Sequence, residues 1–250
     1  MAGADSAGTP WQGRSFEDSP TSDDDGSAPP KLLEAIRRFR SRELGEAEVV
    51  DELRRSRLLV PLIAELGESE VAVGGHVVDK SQELSIVTVS GPDGRPVLPA
   101  FTSVAAMSHW NPLARPIPAN GVRVALAAAS EGTDLVVIDA TSDTEFAVRR
   151  PALWAMAQGE RWQPSYLDED VLAEFMVAAD GQEAMLAIQL APGDPDARLA
   201  GPELLVQLSL VDGLDDAALG ELLARAQDRW SASELIAARV DSMIVKLARA

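Results

Sequence analysis

The spacing of apolar and polar positions changes several times along the chain, and each change marks an element. Leu32, Leu33, Ile36 and Phe39 recur at helical spacing behind Pro29-Pro30, and Val49, Val50 and Leu53 do so again after a break near Gly45. Two short amphipathic helices are predicted. Residues 58–63 form an aliphatic run that predicts a buried strand, with Pro61 marking an edge or a bulge. Residues 64–80, which hold acids and Gly74-Gly75, predict a loop or a weak hairpin. Residues 84–90 and 96–101 flank Gly91-Pro92-Asp93-Gly94, where proline fixes one dihedral and glycine supplies a positive φ. A β-hairpin follows.

Thr102 or Ser103 can cap a helix over 104–110, which Asn111-Pro112 ends. Prolines at 112, 116 and 118 predict a stiff, extended loop over 113–120. Asn120 can cap a small-residue helix at 122–129, although its valines also suit a strand. The β-branched run 134–140 predicts a strand, 145–148 another, and Pro151 stands at the start of a helix over 152–159. Residues 161–170, with Pro164, predict a linker. Beyond it come a helix or strand at 171–178, strands at 184–190 and 204–210, and a helix from Asp215-Asp216 to Arg229. Residues 233–250 fit a helix or an edge strand. The predicted fold is α/β (α+β): two small domains, 31–163 and 165–250, each a mixed β-sheet flanked by helices, behind a disordered acidic tail over 1–30. No fixed-period repeat is visible.

Composition narrows the classes. A hydrophobic fraction of 46% and a mean hydropathy of -0.02 are those of an ordinary globular protein. The apolar runs fall far short of the ~20 residues a membrane helix needs. The first thirty residues have neither a basic leader nor an apolar core, so a cytoplasmic location is expected. Cysteine is absent, which excludes disulfides, thiol nucleophiles and thiolate metal sites. A net charge of -18 opposes nucleic acid and anionic lipid, since both attract clustered Lys and Arg. On the tail, Trp11 and Phe16 read as stray aromatics or as a short linear motif.

Candidate chemistry is sparse. His76 and His109 are the two imidazoles, and neither has a second ligand at metal-site spacing. His109 at the end of a helix is better placed as a cation facing the negative end of the dipole. No Gly-x-Ser-x-Gly elbow is present, and Gly91-x-x-Gly94 reads as a turn and not as a phosphate loop. No catalytic, cofactor-binding or metal residue is assigned, and no cofactor is expected. One constellation stands out as a candidate interaction surface: Phe101, His109, Trp110 and Arg115 around the stiff 112–118 loop. Aromatic, Arg and Pro residues make good interface anchors. The competing reading puts Phe101 and Trp110 in the core and pairs Arg115 with an acid.

The marks Arg57-Leu58-Leu59-Val60-Pro61, Leu98-Pro99-Ala100-Phe101-Thr102-Ser103, Trp110 with Ala114-Arg115-Pro116-Ile117-Pro118, and Arg149-Arg150-Pro151-Ala152-Leu153 occur in one order. In these the segment 32–163 resembles the N-terminal domain of the SseB family as found in actinobacterial proteins, while 165–250 resembles the family's second domain loosely. The resemblance implies a cytoplasmic α/β or α+β domain, brings no catalytic residues, and does not imply a role in secretion. The expected function is a non-catalytic binding or regulatory module for a protein partner, with acidic charge favouring a basic one. The rival is a small-molecule sensor or enzyme with its site between the domains, near Arg115 and His109. Self-association through the apolar face of 233–250 would give a homodimer.

Overall fold

The computed structural model describes residues 24–65 and 83–249. Among them the chain forms eight α-helices and three sheets, an α+β architecture. Helices α1 (Pro30–Arg40) and α2 (Glu46–Arg55) lead into β1 (Arg57–Glu65), which pairs antiparallel on one side with β2 (Glu83–Ile86). The expected hairpin of 84–90 with 96–101 is kept only next to its turn, in β3 (Val89–Ser90) and β4 (Pro96–Ala100) with Gly94 at φ +83, while the part in β2 pairs with β1 instead. Helix α3 (Val104–Trp110) begins where the Ser103 side chain accepts from the Ala106 N–H at 3.1 Å.

The segment expected to be a loop is instead the strand β5 (Arg115–Asn120), antiparallel to β1 over its whole length. Leu59 gives its N–H to the Phe101 carbonyl at 2.8 Å and takes the Phe101 N–H at 2.9 Å, so its backbone faces away from β5. Pro118 lies opposite Leu59 and Pro116 opposite Pro61. Antiparallel alternation therefore places both prolines where the missing N–H would point to the free edge. The stiffness was legible; its compatibility with pairing depended on a register that composition does not reveal.

Helix α4 (Gly121–Ser130) follows, capped by Asn120. A Cβ at Gly121 would collide with the Leu53 carbonyl, so glycine is what lets α4 approach α2. Strands β6 (Leu135–Ile138) and β7 (Phe146–Arg149) complete a mixed sheet of order β3-β4-β6-β7, and α5 (Arg150–Gln158) runs out of β7 with Pro151 in its first turn. The main core packs α1, α2, α4 and α5 against these strands around Phe39 and Phe146, whose rings meet edge to face at 5.4 Å.

The second core forms between α6 (Glu169–Val177), α7 (Asp216–Ser231), α8 (Glu234–Arg239) and a sheet of order β10-β9-β8. Its strands are β8 (Met185–Pro192), β9 (Leu204–Leu210) and β10 (Met243–Arg249). The stretch 233–250 thus resolves into both candidates, a short helix and then a strand parallel to β9. Two expectations are corrected. The tail predicted over 1–30 is held in place from Asp24 onward, where Arg57 bonds the Asp24 carboxylate at 2.7 Å; Trp11 and Phe16 lie outside the described residues. The linker predicted over 161–170 is pinned by Ser165, which is buried and donates to Glu203 at 2.6 Å. The loop 193–202 also crosses back: the Ala147 N–H donates to the Ala197 carbonyl at 2.7 Å, and Ala197 joins the first core. Among the described residues no helix is long and apolar enough to cross a membrane.

Candidate functional site

Phe101 is the floor of the site. It follows β4, is 0% exposed, and packs with Leu59 and Met107 in a small separate core. Its position is set by the next residue. The N–H and hydroxyl of Thr102 both donate to the buried Asp139 carboxylate, at 2.8 and 2.7 Å, and Thr144 donates to the same group at 2.8 Å. Arg57 donates to the Thr102 carbonyl at 2.8 Å. The turn from β4 into α3 is therefore rigid before any partner is considered.

Trp110 lies on that floor, its ring 5.2 Å from Phe101 and half-buried. Beyond it Leu113, at the turn between α3 and β5, is 80% exposed, and Val104 at the start of α3 is 40% exposed. Cross-strand pairing puts Pro116 and Pro118 on the face that carries Leu59, hence on the Trp110 side. The result is a short apolar ridge of Trp110, Leu113 and the two prolines, while Val104, at the other end of α3, stands against Gly26. The ridge is fixed by strand pairing below and by Pro stiffness above.

The four residues singled out from the sequence do not share one surface. Phe101 is core, as one of the two readings had it, and acts by supporting Trp110. His109 is exposed in the last turn of α3. Arg115 pairs with Leu62, on the face of β1 that carries Leu58 and Val60 and faces the main core, opposite to the Leu59 face. It is exposed at the strand edge and forms no ion pair with an acid among the described residues. His76 lies outside the described residues.

A cluster that sequence reading missed joins the β3–β4 turn and β7 to the loop 193–202 and the entry to β10. Arg149 at the end of β7 is 4% exposed and bonds Asp194 at 2.7 Å, the Gly201 carbonyl at 2.8 Å and Asp241 at 3.2 Å. Arg95 grips the same Asp241 through two bonds, at 2.9 and 3.0 Å. Burial alone would raise the Asp241 carboxyl, but the hydrogen bonds and charge of Arg95, with Arg149 behind them, hold it below the usual range. Glu203, which accepts from Ser165 and from the Asp241 N–H, is raised by burial. Nearby Glu46 is pushed up to about 8, first by loss of hydration and then by the Glu203 charge. Arg149 and Arg95 bond acids, a carbonyl and the Ser242 hydroxyl from distant parts of the chain, so the cluster is a latch between them. Its only signal was an arginine closing the otherwise apolar Phe146-Ala147-Val148 run.

The family model for the SseB protein N-terminal domain matches residues 31–155. The chain belongs to the SseB family. No curated protein and no solved structure matches it. The SseB match contains the whole ridge together with Arg95 and Arg149. The acids that hold those two arginines, Asp194 and Asp241, lie beyond it. The SseB segment of this chain is thus latched to sequence outside the matched region.

Proposed function

We propose that this SseB-family chain is a non-catalytic protein-binding module of the cytoplasm, and that its partner docks on the α3 face. The observation that carries this reading is Leu113, a large apolar side chain left 80% exposed on the turn that follows Trp110, where its N–H donates to the Asn111 side chain at 2.9 Å. Exposed apolar groups that are ordered before binding lose little entropy on docking, and Trp is among the residues that concentrate binding energy. Contact is made through side chains, because Pro116 and Pro118 remove the outward N–H groups a docking strand would need. The net charge of -18 steers a basic partner toward the molecule.

The test is in-cell photo-crosslinking from position 113, with position 126 on α4 as the comparison, since Leu126 is also exposed at 49%. A discrete adduct is expected from 113, absent from 126, and lost when Trp110 is replaced by Ala in a folded protein. Equal adducts from both positions, or none from 113, would count against the α3 face.

A further inference from the structure

The sheet edges of this chain are closed by several devices, and one is left open. β5 carries Pro116 and Pro118 on its outer side, and β7 is covered where the Ala147 N–H donates to the Ala197 carbonyl at 2.7 Å. β8 has a bulge between Met185 and Ala187 and ends in Pro192, while β2 and β3 run only four and two residues. Prolines, bulges, short length and covering loops are how natural sheets avoid pairing with other chains. β10 runs seven residues, Met243–Arg249, with no proline and no register shift against β9. Among the described residues neither strand nor loop bonds its outer side, and Lys246 is its one guard.

The phase of that edge follows from one bond. The Leu204 N–H donates to the Ser242 carbonyl at 3.0 Å, so Ser242 faces β9. Backbone groups alternate sides along a strand, hence Ile244, Lys246 and Ala248 face β9 as well, and Met243, Val245 and Leu247 turn their N–H and C=O groups to the open edge. The same three residues stand in register with Leu204, Val206 and Leu208, all 0% exposed in the second core. Val245 packs on that core, but Met243 and Leu247 stay 37% and 49% exposed. The core-facing side of the sheet therefore runs past the helices that cover it.

We propose that the open edge of β10 pairs antiparallel with β10 of a second copy of this chain, about a two-fold axis through Val245. An isologous contact needs a strand that complements itself, and this one does. With Val245 opposite its counterpart, Met243 meets Leu247 of the second copy and Leu247 meets Met243. Every outward N–H of the three then finds an outward carbonyl in the hydrogen-bonded register. The two exposed apolar side chains of each strand lie beside those of the other on the core-facing side, so the second core of one copy runs on into that of its partner. The three-stranded sheets join into one. Lys246 falls opposite Ile244, whereas a register centred on Lys246 would set two ammonium groups against each other. An unrelated strand would have to supply this apolar pattern; the second copy carries it already. The charge of -18 on each copy opposes the pairing, so added salt should tighten it.

The experiment is sedimentation equilibrium of the full chain, 26.6 kDa, from micromolar to millimolar concentration at low and high salt. The mass is expected to rise with concentration toward twice that of one chain, sooner at high salt. Val245→Pro removes an outward N–H and leaves the bonds to β9 in place, and Leu247→Lys sets a charge at the contact on a half-exposed site. Each should weaken association about tenfold or more while circular dichroism shows the chain folded. Leu113→Asp, on the ridge, should leave the dimer intact. A wild type that stays at 26.6 kDa up to millimolar concentration would overturn the proposal and leave the edge to a strand of another protein. So would a dimer that survives either β10 substitution in a folded chain, or one that Leu113→Asp abolishes.

Discussion

Arg149→Ala is expected to lower the unfolding free energy by about 3–5 kcal/mol, the cost of removing one partner from a buried ion pair. The magnitude comes from what is left behind. Asp194 and Asp241 both lose a guanidinium bond, and their side chains are only 3% and 1% exposed. The Gly201 carbonyl loses its donor as well. Asp241 keeps Arg95, but Asp194 keeps only the Leu199 N–H at 2.8 Å, and its second oxygen already has no partner. The first consequence should be local. Loop 193–202 should become sensitive to protease before the helices do, since the latch holds it against the SseB segment. Urea denaturation of wild type and variant measures the first effect. A change below about 1 kcal/mol would mean that water or a rearranged partner replaces the guanidinium.

Phe101→Ala is expected to cost about 3–5 kcal/mol, the range for emptying a buried aromatic site. Leu59 and Met107 line the space the ring would leave, and Trp110 would lose the surface it rests on. Trp110→Ala should cost clearly less, because that ring is half in water already. The order of the two midpoints separates a supporting residue from a presented one. If Trp110→Ala proved the more damaging, Trp110 would be core and the ridge would lose its anchor.

Much of the fold was legible because local chemistry and tertiary context agree there. Ser103, Asn120 and Asp215 each accept a backbone N–H as caps, and Asp215 does so from Ala218 at 2.8 Å. The Gly91-to-Gly94 turn needed only its own residues. The strand β5 was not legible, since prolines 116 and 118 forbid a central strand and permit an edge one, and only the partner decides which. Residues 233–250 were ambiguous because β10 lies at a sheet edge, where Met243 and Leu247 stay partly exposed and the alternation is blurred. The candidate set divided for a related reason. Trp110 and Arg115 are five residues apart, yet the period of two along β5 sends Arg115 to the other face. The Arg149 latch was hidden because its acids, at 194 and 241, are far away in sequence.

The most direct measurement is a quantitative comparison of the proteins retained by wild type, Leu113→Asp and Arg115→Ala, each shown to be folded by circular dichroism. Docking on the α3 face predicts that Leu113→Asp loses a protein that wild type and Arg115→Ala both keep, because Arg115 points to the opposite face. Loss with Arg115→Ala and retention with Leu113→Asp would contradict it and move the docking surface to the far side of β5.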